Sequence, residues 1–204
     1  MYPQKVRSGR ACGVNRGLKK GLMRKKYLRK VWWAITALYL MVVYSTLGVA
    51  PRIWDGFNAS LGGKGTIPVY IVFFIAAVCL FAYMIFVKKE RSPNSYLLFF
   101  LFVWIFLALN RLSRFPVEKI HLIEYALLGV FVYNALKIDI DRFDKKLYLF
   151  GSLFCLSAGF LDEIIQLLLP NRVFDWRDAV LNAAGSVIAL MVIRFNILKE
   201  PQKP

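Results

Sequence analysis

The chain has 204 residues, of which 58% are apolar and 16% aromatic, and carries a formal charge of +16. Its apolar residues fall in long runs at positive mean hydropathy, which excludes a sizeable soluble domain, because spans of about 20 residues each take up most of the length. Three cysteines far apart, Cys12, Cys79 and Cys155, imply neither a disulfide framework nor a zinc site.

Residues 1–30 hold eleven Lys or Arg and no acid, ending in Met23-Arg24-Lys25-Lys26-Tyr27-Leu28-Arg29-Lys30. Charge placed just before an apolar run predicts a cytoplasmic N-terminus held by anionic lipid. Nucleic acid is not expected as a partner, since no aromatic residues are interleaved to stack on bases. Met23 offers an alternative start, which would leave residues 1–22 outside the native chain. The first apolar segment, 31–50, ends in Gly48-Val49-Ala50, loosely like a cleavage site. Pro51 would follow the cut, however, and the run is long enough to span, so it reads as a retained helix.

Further transmembrane helices are predicted at 67–87, 96–109, 121–136, 147–169 and 178–195, about six in all. The third, fourth and sixth are short for a hydrocarbon core of about 30 Å at about 1.5 Å per residue, and need flanking residues or a thinned bilayer. With six spans both termini are cytoplasmic. Basic residues then number 21 inside and 7 outside, or 10 against 7 without the N-terminal tail, so the tail carries most of the orientation signal. The inner segments Lys88 to Pro93 and Lys137 to Lys146 read as solvated loops of mixed charge. The outer segment Pro51 to Pro68 reads as a loop, with Gly62-Gly63-Lys64-Gly65 a flexible turn that lacks P-loop spacing. Trp32 and Trp33 on the inside, and Trp54 and Trp176 on the outside, read as interfacial anchors.

Polar residues interrupt the lipid-soluble pattern most densely at Leu161 to Asn182. Ionisable groups inside spans cost about 2.5–3.5 kcal/mol each on insertion scales and usually face a bundle interior or a watery cavity. Asp162 and Gln166, Glu163 and Gln166, and Asp178 and Asn182 are three or four residues apart, so each pair shares a helix face. Gly185 and Ala189 continue the face of Asp178 and Asn182 as small residues that allow close helix packing. The outer segment before the fourth helix carries Arg111, Arg114, Glu118 and Lys119, followed by His121 and Glu124 on one stripe. The two stretches are predicted to share the outer leaflet. Together they give a candidate polar pocket of Arg111, Arg114, Glu118, Lys119, His121, Glu124, Asp162, Glu163, Gln166, Arg172, Asp178 and Asn182.

Several chemistries suit these residues. His121 with Asp162 or Glu163 would make an acid/base pair, while Arg111, Arg114 and Arg172 would hold a phosphate or carboxylate, such as the pyrophosphate of an outer-leaflet polyprenyl lipid. No nucleophile motif accompanies them. One His among carboxylates lacks the spacing of zinc motifs, so neither a metal nor any other cofactor is expected. Adjacent Asp162 and Glu163 would also suit a proton or ion pathway, although no inverted repeat is visible. The structural alternative is that Arg172 or Arg177 pairs with Asp162, Glu163 or Asp178, and that Gln166 and Asn182 join helices by hydrogen bonds.

The order Glu118-Lys119-Ile120-His121, an apolar helix with Tyr125 and Gly129, then Asp162-Glu163-x-x-Gln166, Pro170-x-Arg172 and Asp178-x-x-x-Asn182-x-x-Gly185 resembles the VanZ-like family of small bacterial membrane proteins. Glu118 serves as the acid of the acid-Lys-apolar-His element, and Leu122 stands where a Phe is common. The resemblance covers about residues 96–195. It divides the chain into a basic tail at 1–30, two accessory transmembrane helices at 31–95, a four-helix core at 96–195 and a cytoplasmic tail at 196–204. What it implies is an all-α, multi-pass protein of the bacterial cytoplasmic membrane and cell envelope, in a family named for a member associated with teicoplanin resistance. It implies no reaction. The expected partners are the bilayer and an anionic envelope lipid or cell-wall precursor bound in the outward pocket, with an effect on glycopeptide susceptibility as a corollary. A lipid (pyro)phosphate hydrolase or a proton- or ion-coupled transporter are the alternatives.

Overall fold

Helix follows helix along a computed structural model that describes residues 9–112, 118–170 and 174–198, with side chains for 21–111, 120–170 and 174–198. The elements are α1 (Gly9–Thr46), α2 (Ala50–Ser60), α3 (Thr66–Ala82), α4 (Pro93–Leu112), α5 (Glu118–Leu136), α6 (Lys145–Leu167) and α7 (Trp176–Val192). Two of them end in a π-helical turn, Tyr83–Val87 after α3 and Ile193–Ile197 after α7. No strand occurs among the described residues, so the expected all-α class holds. Asp144 and Asp175 start α6 and α7 by accepting the backbone N–H two residues on, at 2.9 Å in each case, which satisfies donors that a helix start leaves open.

Among the described residues four helices are long and apolar enough to cross a membrane: Thr66–Val87, Pro93–Arg111, Lys145–Leu167 and Trp176–Ile197. A fifth is reached if α1 and α2, bent by 74° at the break between them, count as one span. The remaining expected span, 121–136, falls on α5, whose apolar part, Ile120–Leu136, is shorter. Its position explains the length. α5 packs against α1, α6 and α7 and buries Leu122, Tyr125, Leu128, Val132, Tyr133 and Ala135. A helix sheathed by protein is not bound to match the full lipid thickness. By contrast α3 buries no residue and meets α4 through stacked Phe73 and Phe106, 4.1 Å between centroids.

The close approach of α5 to α7 rests on glycine. A Cβ at Gly185 would lie 2.5 Å from the Leu122 carbonyl oxygen, and one at Gly129 would lie 2.8 Å from that of Ser186 and 3.4 Å from the Ala189 Cβ. Only residues without a side chain let the two backbones come this near.

Three expectations need correction. The segment after Pro51 is not a loop but helix α2, with Pro51 in its first turn, where a missing N–H is tolerated. Trp54, expected as an interfacial anchor, is instead 7% exposed, whereas Trp176 is 67% exposed. Lys88, expected in a solvated loop, is 7% exposed and tied to Glu90 at 2.8 Å and to the Phe195 carbonyl at 3.5 Å. The Lys88 ammonium beside Glu90 holds that carboxyl below the usual carboxylate range. Nearby, Asn196 is fully buried and donates to the Ser95 carbonyl at 2.9 Å, so α3, α4 and α7 are joined at this end. The turn at Gly62 and Gly63 has φ of 61° and 82°, the left-handed region that glycine enters freely.

Candidate functional site

Helices α5, α6 and α7 hold most of the described ones among the predicted polar residues in two separate settings. The first lies between α6 and α7. Asp162 and Asn182 are fully buried, and the Asn182 amide donates to the Asp162 carboxyl at 3.2 Å. Glu163, also fully buried, accepts from the Gln166 amide at 3.3 Å and from the backbone N–H of Asp175 at 3.1 Å. Asp175 is the cap of α7, so Glu163 holds the start of that helix against the end of α6. Ser186, one turn beyond Asn182, donates back to the Asn182 carbonyl at 2.8 Å.

Two tyrosines complete this setting from the other side. The hydroxyls of Tyr44 on α1 and Tyr125 on α5 both donate to the Ala158 carbonyl, at 2.8 and 3.3 Å, one turn before Asp162. A Cβ at Gly159 would lie 3.0 Å from the Asn182 Cβ and 3.4 Å from the Tyr125 ring. Four helices thus converge here on hydrogen bonds and close packing. Among the described residues, Asp162 Oδ1 and Asn182 Oδ1 have no hydrogen-bond partner.

The second setting is on α5. His121 Nδ1 and Glu124 Oε2 are 3.0 Å apart, with the His side chain 8% and the Glu side chain 31% exposed. The backbone of Glu124 is fixed by the Tyr39 hydroxyl, which donates to its carbonyl at 2.9 Å. His121 and Glu124 border a cleft of about 450 Å³ whose other walls come from α1, α2 and α3. Apart from Thr46, those walls are apolar and include Ile53, Trp54, Phe57 and Val69. Leu122, next to His121, lies against Gly185, and Tyr125, next to Glu124, lies against Gly159, which places the two settings side by side.

The expected acid/base pair of His121 with Asp162 or Glu163 is therefore replaced by a pair with Glu124, three residues on along the same helix. Arg177 pairs with Asp175, its Nε donating at 3.1 Å. Asn182 joins α7 to α6 through Asp162 as the structural alternative has it, whereas Gln166 bonds Glu163 within α6 and joins no helices. Arg111 is exposed at the last turn of α4, and Asp178 is half-buried in the first turn of α7. Arg114 and Arg172, together with the side chains of Glu118 and Lys119, lie outside the described residues. No group of three or more His, Cys, Asp or Glu among the described residues is placed to hold a metal ion.

Sequence reasoning passed over Tyr39 and Tyr44. The signal was present, because a buried Tyr hydroxyl needs a partner, and two tyrosines five residues apart in an apolar helix announce bonds to neighbouring helices.

A family model, VanZ/LLP1, matches residues 69–198. The match starts within α3, earlier than residue 96, so α3 is part of the shared architecture. No curated protein and no solved structure matches the chain.

Proposed function

The chain belongs to the VanZ-like family, and from that premise we propose that this multi-pass membrane protein binds an amphiphile with an anionic head in the outer leaflet of the bacterial cytoplasmic membrane. Envelope lipids and lipid-linked cell-wall precursors have this chemistry. The observation that carries the reading is the α5 cleft, where one hydrogen-bonded polar pair, His121 and Glu124, sits in an otherwise largely apolar wall. Such a surface suits a molecule that is polar at one end and apolar along the rest.

The basic residues Arg111, Arg114, Lys119 and Arg172 stand next to this end in sequence, and the N-terminus of α5 adds its positive dipole end. Asp162 and Glu163 are engaged with Asn182, Gln166 and Asp175, which makes them supports of the site and not its ligand-facing groups. The basic N-terminal tail supports a cytoplasmic N-terminus and hence an outward cleft. A lipid-linked precursor as ligand would connect this chain to glycopeptide susceptibility.

Native mass spectrometry of the purified protein released from nanodiscs tests the reading. Phosphatidylglycerol is expected to be retained over phosphatidylcholine at equal mole fraction, and Arg111→Ala with Arg172→Ala is expected to lower that retention about tenfold, a size that one charge-assisted hydrogen bond covers at ~1.5–3 kcal/mol. Equal retention of the two lipids contradicts it. The enzyme alternative predicts product from polyprenyl pyrophosphate, lost in His121→Ala. The transporter alternative predicts proton or ion flux in liposomes, abolished by Glu163→Gln.

A further inference from the structure

The α5 cleft does not end at the polar pair. Val72 and Ile123 border it and also border a second cavity, of about 260 Å³, with α3 and α4 on one side and α5 and α7 on the other. Every residue around that second cavity is apolar, among them Phe73, Ala76, Phe106, Ala126 and Ile188. Val130, Ile193 and Ile197 in turn border both this cavity and a third, of about 640 Å³, which opens among Tyr133, Asn134, Lys137, Asp141 and Arg142 at the opposite end of α5. One face of α5, Ile120, Ile123, Ala126, Val130 and Asn134 at steps of three and four residues, runs along all three.

The length and the chemistry of this furrow narrow its occupant. From Ile120 to Asn134 the helix rises about 21 Å at about 1.5 Å per residue. Half of a hydrocarbon core of about 30 Å is only about 15 Å, so the furrow passes the bilayer midplane. Its middle has no polar side chain to replace the hydration of an ion or to hold a file of water, which disfavours an ion path along it. An ordinary acyl chain anchored at His121 and Glu124 would stop near the midplane and leave the lower part to other lipid.

The geometry points to a lipid phosphate with one long apolar chain that crosses the midplane, of the polyisoprenoid kind, as the molecule this furrow holds. This rests on the proposed binding of an anionic amphiphile and adds selection by chain length. The head lies beside His121 and Glu124, and the chain runs down the face from Ile123 to Val130. α3 is the wall along which the chain enters from the bilayer, since it buries no residue and Val72 is 56% exposed.

The test is retention in nanodiscs, read by native mass spectrometry, of three probes offered one at a time at equal mole fraction: farnesyl phosphate, undecaprenyl phosphate and dioleoyl phosphatidic acid. Undecaprenyl phosphate is expected to be retained at least tenfold over the other two. Ala76→Phe fills the middle cavity from a helix with no buried residue, and Ala126→Phe fills it from α5. Either change is expected to abolish the preference for undecaprenyl phosphate over farnesyl phosphate. Equal retention of the three lipids by the unaltered protein overturns chain-length selection and leaves anionic-head binding intact. Retention of none of them, with phosphatidylglycerol also retained no better than phosphatidylcholine, overturns both. A persistent long-chain preference in both filled variants places the chain elsewhere and overturns the furrow.

Discussion

Asp162, Glu163, Gln166 and Asn182 are sealed between α6 and α7 with bonds to neighbours in the bundle, whereas His121 and Glu124 are bonded to each other and border a cleft. Both groups are polar residues inside an apolar bundle. Their surroundings assign them different work. A buried carboxyl whose neighbours hold helices in register acts on the fold, and removing it leaves donors unsatisfied. A pair that faces open volume has room for a ligand. Depth in the membrane does not by itself distinguish a site from a brace.

The largest expected effect tests the contact on which the brace depends. Gly185→Leu sets a side chain against the Leu122 carbonyl, 2.5 Å from the first added carbon, and is expected to cost about 3 kcal/mol or more. Size-exclusion chromatography in detergent should show loss of the monodisperse protein, and a normal peak would show that α5 and α7 are not in close contact.

Next in size is the brace itself. Asp162→Ala leaves the buried Asn182 amide without its acceptor, at an expected cost of about 1–3 kcal/mol. For a chain of this size that lowers the unfolding midpoint by about 2–4 °C per kcal/mol. Replacing both partners, Asp162→Leu with Asn182→Leu, is expected to recover most of the loss, because no unsatisfied group remains. A double variant as unstable as the single one would remove the brace reading.

Glu163 sharpens the comparison further. Glu163→Gln keeps a side-chain oxygen that can accept the Asp175 N–H, so its midpoint should fall by less than that of Glu163→Ala. Equal losses would show that the charge, and not the cap, matters. The smallest effect is expected at Trp176, 67% exposed, where Trp176→Ala should change stability within about 0.5 kcal/mol.

Much of this was legible in the residues. Unbroken apolar runs place α3 through α7 within a few residues, and three- and four-residue spacing puts Asp162 beside Gln166 and Asp178 beside Asn182 on shared faces. Gly185 was legible as a packing residue because small side chains recur on the Asn182 face. What escaped depends on partners that are remote in the chain. The pairing of His121 with Glu124 in place of Asp162 depends on how α5 is rotated against α6, which spacing within one helix does not specify. Trp54 and α2 escaped because an exposed-looking segment rich in Gly and polar residues becomes a cleft wall only when α3 and α5 stand opposite it. Lys88 escaped for a similar reason, since the Phe195 carbonyl that accepts from it is supplied by the turn after α7.

The division between brace and site is tested most directly by measuring thermal unfolding and lipid retention on one preparation of His121→Ala in nanodiscs. The account predicts a midpoint within about 4 °C of the unaltered protein, which is about 1 kcal/mol at this size, together with about a tenfold loss of retained lipid phosphate. A midpoint that falls as far as that of Asp162→Ala, with lipid retention unchanged, would contradict it.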